Sequence, residues 1–399
     1  MPFRKLNHQA VLDYIMVGFV LVIPFSKALP NLFIIPAGLI CIYSVFKSKT
    51  ITLSVQWIML FALLVIILLG AVFENQLLSE LDFQKKFITG LLVFLLIGQV
   101  KQKHFIEYGL VAACTGAIVY NMLYFVLKTN SGVEFDLSEG GTVYELLIIH
   151  RPYFAFLTVL SVYFILKWIR AGQSRWYYVL VAFTLGFCFF ISAKMGILLH
   201  LFLIGHHVFK SFKTLKLKHV LLLLSIVAIA GLVLVNNSYM KKRLRIQDDL
   251  ETTIQKFKEY EIRTIIWDCS ATLLERHWVS GVNTHEQLVP MLTDCYLSKI
   301  DPELKPKKYT YYKTEQFNTH NQFVDILLIS GIIGLLIFLS FFIYPMLNRE
   351  LYKDTLTILF LFACFMLVEN VFQRQLGCFL FGAFLGLYAP REVHWSWSK

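Results

Sequence analysis

The chain has 399 residues, 57% of them hydrophobic and only 16% charged, with a formal net charge of +11, and its mean hydropathy is +0.64. An ordinary soluble domain carries about 25% charged residues, so this composition argues against a soluble enzyme and for a polytopic bundle of apolar runs of about 18 to 25 residues. The basic residues are scattered over separate loops, which argues against a nucleic-acid partner.

In chain order, about twelve spans are predicted, at roughly 11–27, 31–46, 55–73, 86–100, 105–127, 152–168, 176–193, 195–210, 219–236, 322–347, 354–371 and 376–390. The first comes after Arg4, Lys5 and His8, and no small-residue cleavage site stands beyond Phe25. It therefore reads as a retained span and not as a signal peptide. The expected fold class is all-α: a membrane helical bundle with one large, mostly helical loop. About nine spans fall in 1–236, the loop in 237–320, and about three further spans in 321–399.

Lysine and arginine in short loops set orientation. With the N-terminus in the cytoplasm, the inner segments carry Arg4 and Lys5, Lys47 and Lys49, Lys101 and Lys103, Lys167 and Arg170, Lys210 and Lys213, Arg349 and Lys353, then Arg391. The opposite side receives 74–85 and 128–151, with Glu74, Glu80, Asp82, Glu134, Asp136, Glu139 and Glu145. Both termini are expected inside and the large loop outside.

Within the loop, Leu250–Trp278 places Ile254, Phe257, Ile262, Ile265, Ile266 and Leu273 mostly at helical spacing. Pro302 and Pro306 interrupt the chain beyond that stretch. Cys269 and Cys295 are the two cysteines of the loop. In an oxidising compartment they could pair; two free thiols on separate helices fit the sequence equally well.

Chemistry is sought where polar groups meet the outer end of a span. "NTHNQFVDILLISGIIGLLIFLSFF", Asn318–Phe342, sets His320 and Asn321 directly before an apolar run. An imidazole with an unperturbed pKa near 6.5 suits a general base; an interfacial histidine with no task is the alternative. Gly331 and Gly334 lie three apart, a spacing that lets another helix approach closely.

His-Asn, nine residues, then Gly-x-x-Gly-Leu resembles the signature of the bacterial O-antigen ligase and O-antigen polymerase superfamily. A large outer loop precedes the motif in that family, as here. The resemblance implies a glycosyltransferase of the bacterial inner membrane, inverting and metal-independent, with no cofactor. It implies transfer of a glycan from an undecaprenyl-diphosphate carrier to a hydroxyl of a lipid A-core or glycan acceptor at the periplasmic face. His320 then takes the place of the catalytic base, with Asn321 supporting it. Arg263 and Trp267, one helical turn apart, match a family Arg-x-x-x-Trp element whose arginine is thought to hold carrier phosphates, and a guanidinium forks well onto phosphate oxygens. A solvated helix arginine is the other reading.

Three further stretches are weighed against that family. Lys194 stands just after Ser192 between two apolar runs, where the family usually has Ser-Arg; it keeps the charge without the fork, or it marks a tight turn. Arg151 and Tyr153 stand at a helix entry opened by Pro152, as site-lining groups or as interfacial anchors. Glu369 and Arg374 are expected near a turn between the last two spans, as an ion pair or as substrate contacts. The sequence departs from the family at "RHWVSGVNTHEQ", where Asn283 replaces the second glycine after Gly281. His277 and His285 flank it and receive no role. A transporter of lipid-linked sugars would more often show ionisable groups deep in several spans and internal repeats. An assembly protein would leave the motif spacing unexplained.

Overall fold

A computed structural model describes residues 8–132, 147–211, 225, 249, 251–252 and 262–397. Apart from Ser225, the expected span at 219–236 lies outside the described residues, as does 253–261 of the amphipathic stretch. Among the described residues, fourteen α-helices and two short strands run in chain order: α1 His8–Val22, α2 Leu29–Ser48, β1 Thr50–Leu53, α3 Val55–Phe73, α4 Leu77–Gly98, α5 Lys103–Asn130, α6 Arg151–Arg170, α7 Tyr177–Phe190, α8 Lys194–Ser211, α9 Ile262–His277, α10 His285–Ser298, α11 Pro306–Glu315, α12 Gln322–Leu347, α13 Arg349–Met366, α14 Gln375–Tyr388 and β2 Val393–Ser396. The all-α expectation holds apart from β1 and β2, which pair antiparallel with Thr50 opposite Ser396.

Five of these helices, α2, α3, α5, α6 and α12, are long and apolar enough to cross a membrane, and α1, α7 and α14 are shorter apolar helices. Two of the differences from the expected boundaries bear on the site. Helix α4 begins at Leu77, nine residues before the apolar run, because its first turns are polar and carry Glu80. Helix α13 stops at Met366, so Glu369 and Asn370 lie in a connector and not in a span.

The chain divides into two compact units, residues 1–37 with 101–257, and residues 38–100 with 258–399. In the first, α1 packs on α5, and α6 on α7 and α8. Asp13 is buried in α1, and its carboxylate accepts the N–H groups of Lys101 (3.1 Å) and Gln102 (3.2 Å) ahead of α5. Gly196 lets α8 close on Ala155 of α6, where an added Cβ would stand 2.6 Å from the alanine methyl.

In the second unit, α4 and α14 meet backbone to backbone: a Cβ on Gly382 would lie 2.3 Å from the Gly90 carbonyl oxygen. Helix α12 packs on α3 and breaks at Gly331, whose φ of 63° and ψ of −167° leave the helical region. The break hands its carbonyls to the loop between α9 and α10. Val282 N–H donates to Leu328 O (2.6 Å), Asn283 N–H to Ile329 O (3.0 Å), and Ile332 N–H returns to Val279 O (3.2 Å). Buried backbone groups freed by a kink must find such partners. Gly331 therefore admits a loop backbone where the sequence suggests helix packing; a Cβ there would sit 2.2 Å from Val279 O. Gly334 does face a helix: an added Cβ there would stand 3.5 Å from Leu63 Cδ1 of α3.

Candidate active site

Asn321 fixes the mouth of α12. It is the N-cap, and its Oδ1 accepts from Phe323 N (3.0 Å) and Val324 N (3.1 Å), satisfying two of the amides that every helix start leaves unpaired. The chain enters through a left-handed His320, φ 46°, whose N–H donates to Asn318 Oδ1 (3.0 Å). Thr319 is buried and bonded to Asn370 through the amide Nδ2 (3.1 Å). Gln322 Oε1 accepts from Phe372 N (2.8 Å). The turn 318–322 is thus tied to the connector 367–374.

Glu369 brings two expected site residues together. Its Oε1 accepts from an Arg263 Nη at 3.0 Å, and its Oε2 faces His320 Nδ1 at 3.9 Å, an ionic contact too long for a hydrogen bond. Arg263 also donates to Val368 O (3.2 Å). Burial works against the Glu369 charge, but His320, then Arg263 and Arg374, outweigh it and hold the carboxyl below its usual range. The carboxylate is buried, whereas the His320 and Arg263 side chains keep 23% and 31% of their exposure, so neither is sealed off.

Arg374 is exposed. The close partner of Glu369 is Arg263 and not Arg374, which acts on the carboxylate at longer range. A 3₁₀ turn, Val371–Gln373, separates the two residues. Trp267, one turn along α9 from Arg263, is 42% exposed. Cys269 of α9 and Cys295 of α10 form a disulfide, so the helix bearing Arg263 is bonded to its neighbour.

Lys194, Arg151 and Tyr153 belong to the first unit. Lys194 opens α8 after a left-handed Ser192 (φ 52°) and is exposed. Arg151 opens α6 and is half-buried, and Tyr153 is buried in that helix's first turn.

Sequence reasoning misses a second cluster. His285, at the start of α10, is buried and donates its N–H to Glu80 Oε2 (2.9 Å) while its Nδ1 meets Glu80 Oε1 (2.8 Å). Its Nε2 faces Asp325 Oδ2 of α12 at 3.5 Å, and its ring stacks on Phe83 at 3.7 Å. Burial alone would lower this histidine's pKa; the Asp325 and Glu80 carboxylates reverse that and push it up to about 9. Glu80, in the polar first turn of α4 ahead of the expected span, is held low by His285 and Gln84 despite its own burial. The connection between α3 and α4 completes the dock: Glu74 accepts from Asn283 and Gln287 (both 2.9 Å), and Thr284 donates to Gln76 Oε1 (2.5 Å). Asn283 keeps a left-handed φ of 73°, a conformation asparagine tolerates better than most side chains. One signal could have found the cluster: Asp325 is an acid inside an otherwise apolar run, and such residues are seldom idle.

Residues 173–339 match the family model described as O-Antigen ligase. Lys194, Arg263, His285, His320 and Asp325 fall inside the match; Glu80, Arg151, Glu369 and Arg374 fall outside it. No curated protein matches the chain. The match, with the apolar helices, supports a bacterial membrane protein with a role in glycan transfer for surface polysaccharide biosynthesis.

Proposed function

We propose, from the match of residues 173–339 to the O-antigen ligase family model, that the chain transfers a glycan from undecaprenyl diphosphate to an acceptor hydroxyl at the periplasmic face of the inner membrane. Both termini are cytoplasmic in this reading, about twelve helices span the bilayer, and the segment 237–320 lies outside. The observation that carries the proposal is the convergence of His320 and Arg263 on one buried carboxylate, Glu369. A base and a phosphate-binding cation are the two groups that displacement at an anomeric carbon requires.

In the proposed reaction His320 Nε2 takes the acceptor O–H proton. The acceptor oxygen bonds to the anomeric carbon as that carbon's bond to the diphosphate oxygen breaks, and the electron pair leaves on undecaprenyl diphosphate. Glu369 Oε2 faces Nδ1, the far side of the imidazole, and so opposes the positive charge that proton uptake creates. Arg263, with Arg374 as a further cation, meets the diphosphate charge. Membrane lipid holds the carrier tail while the glycan projects outward.

A ligase acceptor is a sugar of the lipid A core, and a polymerase acceptor is another carrier-linked repeat. The test is surface polysaccharide in a deletion strain complemented with wild type or His320→Ala at matched membrane levels. Loss of surface glycan is expected in the variant. Long chains retained on the carrier identify a ligase, and single repeats a polymerase. Normal glycan with His320→Ala removes the base assignment and favours a transporter of lipid-linked glycan.

A further inference from the structure

His285 is buried and titratable, yet the proposed transfer gives it no task. Its imidazole stands between two buried carboxylates, Glu80 on α4 and Asp325 on α12. Two such carboxylates need a cation between them, and only a histidine protonated on both nitrogens donates toward both. The path continues beyond Asp325. Gln373 Nε2 donates to both Asp325 oxygens (2.9 Å each), Gln373 Oε1 accepts from Asn318 Nδ2 (2.6 Å), and Asn318 Oδ1 accepts the His320 N–H (3.0 Å). An ionic contact of 3.5 Å, too loose to count as a hydrogen bond, therefore joins His285 Nε2 to Asp325, and hydrogen bonds carry the path from Asp325 to the backbone of His320. Gln373 also precedes Arg374, and its carbonyl accepts from Lys86 Nζ (3.2 Å).

We propose that His285 is a positioning residue for His320: through Asp325, Gln373 and Asn318 it fixes the left-handed turn that carries the imidazole. The device ties the docking of α10 to the placement of the base, so that a loop helix out of place would leave the imidazole misaligned. Misplacement of a catalytic group by about 1 Å can cost on the order of a hundredfold in rate. The inference rests on the reading of His320 as the base.

The test uses full-length protein in membranes. Wild type, His285→Gln, Gln373→Met and His320→Ala are compared at matched levels for surface glycan. His320 is also probed with diethyl pyrocarbonate, its modification read by mass spectrometry relative to His277 at the end of α9. Gln373→Met cuts the path while leaving Glu80, His285 and Asp325 whole. Both His285→Gln and Gln373→Met are expected to raise the His320 to His277 ratio several-fold and to lower glycan on the order of tenfold. General loosening of the loop would move both histidines and leave the ratio flat. An unchanged ratio in Gln373→Met overturns the proposal, even where His285→Gln fails to reach the membrane. So does a raised ratio with normal glycan in Gln373→Met, when His320→Ala abolishes glycan. A raised ratio with normal glycan in His320→Ala keeps the positioning and removes the base.

Discussion

Arg263 and Glu369 stand 106 positions apart in the chain, and an Arg263 Nη meets Glu369 Oε1 at 3.0 Å. The pair joins α9 to the connector after α13. It holds the guanidinium beside His320 without burying it. Arg263→Ala should leave the protein in the membrane and cut surface glycan roughly a hundredfold, the scale for losing one charge-stabilising donor. Arg263→Lys should fall between the two, because it keeps the charge and loses the planar fork. Glu369→Ala should lower membrane levels as well, since a partly buried arginine then lacks its counter-charge. Quantitative glycan blots normalised to protein level separate these outcomes.

The disulfide between Cys269 and Cys295 closes a separation of 26 residues. A closure of that size stabilises by about 3.5 kcal/mol in the chain-entropy account. Cys269→Ser should therefore speed limited proteolysis of the loop in intact membranes, and dithiothreitol should have the same effect on wild type. The double substitution Cys269→Ser with Cys295→Ser should behave like the single one and lose its sensitivity to reductant.

Much of the architecture is legible in the sequence because it rests on local signals. Apolar length places α2, α3, α5, α6 and α12 within a few residues, and the polar string Asn318–Asn321 marks the start of α12. Arg263, Glu369 and His320 are each visible as a charge or an imidazole at the edge of an apolar run. Their convergence is not, because spacing along the chain does not encode which carboxylate a guanidinium reaches. Of the two readings of Glu369 and Arg374, an ion pair or substrate contacts, neither points to the close partner that Glu369 has 106 positions away. His285 escapes notice for a related reason. Its partners come from α4 and α12, and nothing around "NTHEQ" announces them. Gly331 reads as a helix-packing residue because a kink filled by another segment's backbone has no composition of its own.

The buried histidine makes loop docking depend on pH in a defined direction. His285 goes from an ordinary value of 6.5 to about 9 on folding. A group raised in this way contributes fully below pH 6.5 and loses its contribution as pH climbs through about 9. Glu80 is lowered from 4.5; its contribution is present above that value and fades as pH falls toward its folded-state pKa. Docking of α10 should hold best between those limits and loosen toward alkaline pH. Hydrogen exchange of residues 282–296 in membranes should accelerate between about pH 7 and about pH 10 beyond the intrinsic base-catalysed rise. His285→Gln should lose this excess, keeping only the intrinsic slope.

The break in α12 gives the sharpest steric prediction. Gly331 combines φ 63° with ψ −167°, a region that essentially only glycine occupies, and strained backbone of this kind costs on the order of 1–3 kcal/mol for other residues. An added Cβ would also stand 2.2 Å from Val279 O and 2.7 Å from Ser280 C, both backbone atoms that cannot swing aside as a side chain would. Relief requires either straightening α12, which returns Leu328 O and Ile329 O to their own helix, or expelling residues 279–283 from the break. Either way Val282 and Asn283 lose their acceptors, and the start of α10 loses its register against Glu74, Gln76 and Glu80. Gly331→Ala should therefore lower the melting temperature of the detergent-purified protein and raise loop proteolysis, with glycan transfer falling in parallel. Gly38→Ala in α2, where an added Cβ meets nothing within 4 Å, should be neutral or slightly stabilising, since alanine is the better helix former by about 1 kcal/mol. Equal behaviour of the two variants would show that the backbone exchange between Val279–Asn283 and the α12 break contributes little to holding the loop.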